Sequence, residues 1–193
     1  MKRSTNPSAV ESQKRIIEAL IDLMQVKNIK DISISEIAEN AEVVRRTFYR
    51  NFSSKEDVLD AYFDIVFAET TKAINKLGDK INCLMSVREI IRICYKHQNF
   101  FVALKNSDML GYMQNKWNTA LPVLHDIFLN RLTNFPEIKD KQTLDYLLTF
   151  NVGGTFNIII KWINDGMKLS PDELADIIEN FAFGTMYRDC SSS

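Results

Sequence analysis

Cysteine and histidine are scarce in this 193-residue chain, with three of the first and two of the second. Cys83, Cys94 and Cys190 are odd in number, far apart and without metal-ligand spacing, which excludes a disulfide scaffold and a zinc module and leaves idle or structural thiols in a reducing compartment. His97 and His125 stand alone, so each reads as a core or surface residue and not as a ligand. No glycine-rich phosphate loop, His-x-x-x-His, Ser/His/Asp order or paired-cysteine motif occurs. The chain therefore reads as a non-enzyme with no cofactor and no metal. Long apolar runs are also lacking. The longest candidate, around residues 156–163, is broken by Asn157 and Lys161 and falls short of the roughly 20 residues a membrane span needs. Residues 1–13 are polar, unlike a signal peptide, so a cytoplasmic protein is expected. An excess of charge is missing too. The formal net charge is −1, so any nucleic-acid partner must be held by a local patch.

What is present is helical patterning, on a chain long enough for a real core in one or two compact units and 46% hydrophobic, as is ordinary for a globular protein. No strand pattern rises above noise, so the expected fold is all-α. The organising stretch is residues 32–55, ISISEIAENAEVVRRTFYRNFSSK. Ser33 and Glu36 form a capping box that opens a short helix. Ile34, Ile37, Ala38 and Ala41 follow at helical spacing, and Ala38 is small enough to let a second helix cross closely. After a turn at residues 40–43, a second helix over residues 44–52 turns Phe48 and Phe52 inward and leaves Arg45, Arg46, Thr47, Tyr49 and Arg50 on its other faces. Ser53 and Ser54, with Glu56 and Asp57, cap the next helix. Residues 43–55 hold Arg45, Arg46, Arg50 and Lys55 and no acid, with Glu42 and Glu56 bracketing the patch. Two crossed helices, the second basic and polar, match the helix-turn-helix geometry that enters the major groove of DNA.

The wording of that stretch resembles the TetR family of bacterial transcription regulators. The pattern Ile-Ala-x-x-Ala-x-Val-x-x-x-Thr-Phe-Tyr-x-x-Phe-x-x-Lys-Glu is met by Ile37, Ala38, Ala41, Val43, Thr47, Phe48, Tyr49, Phe52, Lys55 and Glu56, with specific agreement over roughly residues 8–60. The Arg-x-Thr-Phe-Tyr version at Arg45, Thr47, Phe48 and Tyr49, with Glu42 before Val43, also resembles the branch of dihydroxyacetone-kinase regulators. Two positions depart from the pattern. The turn position usually filled by glycine is Glu42, where a positive φ would cost roughly 1–2 kcal/mol. The usual capping serine is Val44, which accepts no backbone N–H, at a cost of around 1 kcal/mol.

Elsewhere the chain reads as helix after helix. Residues 1–5 form a polar arm with Lys2 and Arg3. Ser8 and Glu11 repeat the capping-box spacing behind Pro7, and Ile16, Ala19, Leu20, Leu23 and Met24 form the inner face of a first helix. Residues 27–31 are a polar link. A long helix over residues 54–76 ends at Gly78 and turns Val58, Leu59, Tyr62, Phe63, Val66 and Phe67 inward. Ser86 and Glu89 suggest the cap of the next helix. Residues 99–104 are a short apolar piece. A helix over residues 108–131 should kink or end near Leu121, because Pro122 follows. A loop with Pro136 follows, and then two long helices close the chain, the first over residues 139–165 with Gly166 as C-cap. The second starts at Ser170, Pro171 and Glu173. The expected division is a DNA-binding domain over residues 1–53 and an effector-binding and dimerisation domain over residues 54–193.

For function, the first turns of the second helix would offer Arg45 and Arg46 to guanine edges and Thr47 to a thymine methyl. The resemblance places Tyr49 and Lys55 on the phosphate backbone, and Ser33 can join them from the preceding helix. Arg50 fits either a phosphate contact or a solvated surface charge. Helix residues 158–163 are apolar almost all round, so a homodimer is expected in which Gly153, Ile158, Ile159, Trp162, Leu174, Ile177, Ile178 and Phe181 form a four-helix interface. A helix simply central to one monomer is the other reading. Tyr62, Phe63, Phe67, Phe100, Phe101, Met109, Met113, Trp117 and Phe156, with Tyr95 and Tyr112 on the same helices, are either plain core or, as the resemblance implies, the lining of a pocket for a small apolar or amphipathic effector between Tyr62 and Phe156. The whole is expected to be a dimeric repressor of a double-stranded operator. The alternative is an activator or protein-interaction module of the same fold with no effector.

Overall fold

The computed structural model describes residues 7–78, 83–129 and 141–182. Among them are nine α-helices and no strand: α1 Pro7–Val26, α2 Ile34–Asn40, α3 Arg45–Asn51, α4 Lys55–Lys76, α5 Cys83–Lys96, α6 Gln98–Asn106, α7 Leu110–Leu129, α8 Lys141–Asn164 and α9 Pro171–Ala182. Side chains at 120–129, at 181 and at a few other helical positions lie outside the description. The N-terminal arm, the loop around Pro136, Cys190 and the side chains of Cys83 and Phe181 also fall outside it.

Most helix ends follow from their residues. The Ser33 hydroxyl accepts the Glu36 N–H at 3.2 Å, while the Glu36 carboxylate accepts the Ser33 N–H at 2.9 Å, so α2 opens on a closed capping box. The Ser54 hydroxyl accepts the Asp57 N–H at 3.1 Å and starts α4. Ser170 and Glu173 close the same box at α9, with Pro171 in the first turn. Two expected boxes do not form. Pro7 is already helical, so Ser8 lies inside α1, where its carbonyl accepts the Ser12 hydroxyl. Ser86 is likewise inside α5 and buried, and Glu89 pairs with Arg92 instead. Nor does Pro122 end its helix: α7 continues as one element to Leu129. The link after α1 holds a single 3-10 turn, Ile29–Asp31, with Ile29 buried.

The chain divides into two compact units, the first made of the residues up to Ala68 together with Gln98–Met109, the second of Glu69–His97 and the residues from Leu110 onward. In the first, α1 packs against α2, α3 and α6. Ile16, Leu20, Met24, Ile37, Phe48, Phe52, Val58 and Leu59 make its core. Helix α6 belongs to this unit through Phe100, Phe101, Ala103 and Leu104, all buried, and through three polar ties. The Ile29 N–H donates to the buried Ser107 hydroxyl at 3.0 Å, the Gln25 side chain donates to the Asn99 carbonyl at 2.9 Å, and the Asn106 side chain donates to the Gln25 carbonyl at 3.2 Å.

In the second unit, α5 packs on α9 and α7 on α8. Arg88 of α5 bridges Asp172, Asp176 and Glu179 of α9, and Arg92 joins Asp172 to Glu89. Glu69 of α4 accepts from Lys96 at 2.6 Å and from His97 at 3.1 Å, which together hold its carboxyl below the usual range. Trp162 stacks on Tyr95 at 6.1 Å and donates its indole N–H to the Leu169 carbonyl. Burial pushes the Cys94 thiol up to about 12, leaving it protonated and inert. Gly166, at φ 81, reverses the chain after α8 as expected.

The α2 capping box makes head stability pH-dependent. The Lys27 ammonium and the Ser33 N–H and hydroxyl lower the Glu36 carboxyl from 4.5 to about 2. A depressed acid contributes its stability above its unfolded value and loses it as pH falls through the folded one. Thermal unfolding of the wild type should therefore lose more between pH 4.5 and about 2 than that of Glu36→Gln, and the two curves should differ by a constant amount above that window.

Candidate nucleic-acid interface

The geometry of the interface is set by the reversal between α2 and α3. The N–H of Glu42 donates to the Glu39 carbonyl and that of Val43 to the Ala38 carbonyl, both at 2.9 Å, a Schellman motif that requires its middle residue to be left-handed. That residue is Glu42, at φ 49. The side chain that glycine would spare is held from α1: Arg15 donates to the Glu42 carboxylate at 2.6 Å and to its carbonyl at 3.3 Å. Val44 then stands as N-cap of α3 in extended backbone, with no side-chain cap bond. Both departures from the usual helix-turn-helix wording are thus present as real geometry, and one of them has a compensating partner. Arg15 was not legible in advance. Glu42 at a turn signals that something must steady it, but nothing in the spacing says which residue, 27 positions upstream, does so.

Helix α3 buries Phe48 and, with Phe52 beyond its end, anchors itself on the head core, the two rings 6.1 Å apart. Its other residues are where the sequence places them. Arg45, Arg46, Tyr49 and Arg50 are exposed, and Thr47 is half-buried. Arg45 lies back along the helix, donating to the Tyr49 hydroxyl at 3.3 Å with its guanidinium 5.7 Å from that ring centre. Arg46 and Arg50 make no ion pair among the described residues. Ser33 spends its hydroxyl on the capping box. Lys55 is drawn inward: its ammonium donates to the carbonyls of Ile29 at 2.5 Å and Ile32 at 2.8 Å, closing the 3-10 turn onto the start of α4. One of its three donors is left for any phosphate. An open groove is lined by Leu23 of α1, Glu36, Glu39 and Asn40 of α2 and Glu42 of the turn; Lys27 pairs with Glu36 and Arg15 with Glu42, so its charge is largely compensated.

The residues read as a dimer face separate into two sets. Ile159, Trp162, Leu174 and Ile178 are already buried inside one chain. Ile158 and Ile177 are exposed, and they are joined by two residues that periodicity alone did not single out, Tyr146 at 70% and Phe150 at 66% exposure. Tyr146, Phe150, Gly154 and Ile158 recur every four residues, one stripe of α8. A Cβ at Gly153 or Gly154 would meet nothing within 4 Å among the described residues. The residues read as a pocket also divide. Tyr62, Phe63, Phe67, Phe100, Phe101 and Met109 lie in the first unit, with the Tyr62 and Phe100 rings 4.6 Å apart. Met113, Trp117 and Phe156 lie in the second, with the last two rings 4.4 Å apart.

Comparison with known proteins agrees with this geometry. Residues 16–62 match the family described as "Bacterial regulatory proteins, tetR family", and residues 82–184 match the TetR family's "Transcriptional regulator C-terminal region". The chain belongs to the TetR family of DNA-binding transcriptional regulators. Among curated relatives, the HTH-type dhaKLM operon transcriptional activator DhaS of Lactococcus lactis is 32% identical over 117 residues, covering 58% of this chain and 60% of DhaS, so the match spans less than two thirds of that relative's length. A solved structure of the dihydroxyacetone kinase operon activator DhaS superposes with a TM-score of 0.61 at 22% identity, over 90% of this chain and 95% of that one. The fatty acid degradation regulator FadR from Bacillus halodurans does so with a TM-score of 0.66 at 14% identity, over 93% and 95%. Among the described residues, no helix is long and apolar enough to cross a membrane.

The turn makes a prediction in which two magnitudes compete. Glu42→Gly relieves left-handed strain of roughly 1–2 kcal/mol, and it gives up an exposed ion pair worth about 0.2–1 kcal/mol. The strain term is larger, so chemical denaturation should show the variant more stable by up to about 2 kcal/mol. Arg15→Ala should be destabilising in the wild type and less so in the Glu42→Gly background, where only the bond to the residue-42 carbonyl remains.

Proposed function

We propose that this chain is a cytoplasmic, homodimeric repressor that grips a two-fold operator with α3 of each copy and releases it when a small apolar or amphipathic molecule binds. The observation that carries the DNA-reading part is the exposed basic face of α3, led by Arg45 and Arg46 and fixed to the head core by Phe48. Arg45 and Arg46 meet base edges, Tyr49 and the free donor of Lys55 meet phosphate, and Ser33 contributes from the start of α2 by exchanging its hydroxyl bond to Glu36 for one to phosphate. The functional boundary falls at residue 53, where α3 has ended and α4 begins to carry the chain onward.

The gel shift that tests this uses a fragment from upstream of the gene. Arg45→Ala and Arg46→Ala should each weaken specific binding by about 1–3 kcal/mol per half-site and relax base preference. Tyr49→Phe should weaken it across sequences. If Arg50 touches phosphate, Arg50→Ala lowers the slope of log affinity against log salt by about 0.9 per half-site. If it is a solvated charge, the slope is unchanged.

Dimerisation is supported by the Tyr146–Phe150–Ile158 stripe and Ile177, which one chain leaves in water, and by Gly153 and Gly154, where an added Cβ would meet nothing within 4 Å among the described residues. Phe150→Asp should sediment as a folded monomer at low micromolar concentration and lose operator binding.

The effector reading is supported in the second unit by the Tyr112 hydroxyl, enclosed with no hydrogen-bond partner among the described residues, on the same helix as Met113 and Trp117. Leaving such a group unmet costs about 1–3 kcal/mol, and a polar atom on an otherwise apolar ligand would meet it. Tyr112→Phe should raise the melting temperature of the free protein and diminish the shift given by any ligand found in a thermal-shift screen. A regulator that activates is the second reading, favoured by the likeness to DhaS. In a reporter strain, deleting the gene raises expression under the first reading and lowers it under the second.

A further inference from the structure

We propose that Val44 reads a thymine methyl group in each operator half-site. The proposal rests on α3 being the helix that enters the groove and adds to it an apolar, specificity-determining contact.

Two features of Val44 have no explanation within the folded chain. It occupies the N-cap of α3, at φ −75 and ψ 147, where its side chain makes no capping bond and valine is among the poorest choices. It is also 70% exposed, so folding gains little from its isopropyl group. Both costs fall on the residue that leads the basic helix, the end that meets base edges when such a helix docks. Its neighbours sharpen the assignment. Arg45 is folded back onto Tyr49, one turn along. Thr47, the other methyl-bearing residue, is half-buried one turn back, its N–H donating to the Val44 carbonyl at 2.7 Å and its own carbonyl accepting from Asn51. The apolar group projecting from the front of α3 is therefore that of Val44. A valine against phosphate gains nothing, whereas the major-groove edge of thymine carries the one apolar group among the four bases. Branching at Cβ also restricts Val44 to few rotamers, so little freedom is lost on contact.

The probe is a duplex selected from a randomised pool by the full-length protein, in which each selected thymidine is replaced in turn by deoxyuridine, removing only the C5-methyl. For the wild type, one symmetric position per half-site should show about a fourfold loss of affinity per half-site, the worth of one buried methyl-sized group. Val44→Ser restores a capping hydroxyl and should fold at least as well, yet bind the thymidine and deoxyuridine duplexes equally. If Val44→Ser loses as much as the wild type at that position, or if no position distinguishes them, the proposal is overturned. Arg46→Ala is assayed on the same duplexes to separate the two readings. Weakened binding there with no uracil effect at Val44 sinks this proposal alone, and binding indifferent to both residues sinks the α3 reading with it.

Discussion

The interface depends on one left-handed residue. The chain must turn sharply after Asn40 for α3 to cross α2 and present its far side, and the Glu42 conformation makes that turn. Ala38 and Ala41 keep the crossing close, and Phe48 and Phe52 fix α3 to the core once it is made. If the reversal is disturbed, the direction in which Arg45, Arg46 and Val44 project changes, although none of them takes part in the turn hydrogen bonds. The steadying contact from Arg15 is exposed and individually weak. Its value is geometric, because it grips the carboxylate and the carbonyl of the same strained residue.

This turn belongs to a pattern. The reversal after α6 is built in the same way: the Asp108 N–H reaches the Lys105 carbonyl and that of Met109 the Leu104 carbonyl, with Asp108 at φ 55. Gly166 makes the comparable reversal after α8. With six glycines in the whole chain, acidic residues fill left-handed positions elsewhere given to glycine. Such turns carry strain, and tertiary contacts must hold it. In the head those contacts are the Arg15 pair and, for α6, the buried Ser107 hydroxyl against Ile29.

These facts explain what sequence could and could not reveal. The capping boxes at Ser33 and Ser170 were legible because both partners lie within four residues and an apolar stripe follows at once. Ser8–Glu11 and Ser86–Glu89 carry the same spacing, but the chain upstream of each is already helical, and a local pattern cannot know where a helix has begun. The exposed arginines of α3 were legible by type and face. The inward use of Lys55 was not, since it depends on the carbonyls of Ile32 and Ile29 at a 3-10 turn 23 and 26 residues away. The inclusion of α6 in the first unit was hidden for the same reason, resting on a bond across 78 residues. Apolar periodicity marked α8 and α9 as packed on several sides, but it could not sort Ile159 and Ile178, which the chain buries itself, from Phe150 and Tyr146, which it does not.

The charge distribution adds a constraint of its own. One head offers Arg45, Arg46, Arg50 and part of Lys55. Each phosphate contact releases about one counterion, so a patch this small gives weak, salt-sensitive binding on its own. A protein built this way gains affinity by multiplying a modest head. Two heads joined along an apolar stripe would make the second engagement intramolecular, raising affinity without any new contact. The small basic patch of α3 and the unspent apolar face of α8 are thus complementary deficits: each is a poor design for a solitary chain, and the two-fold partner proposed above would resolve both.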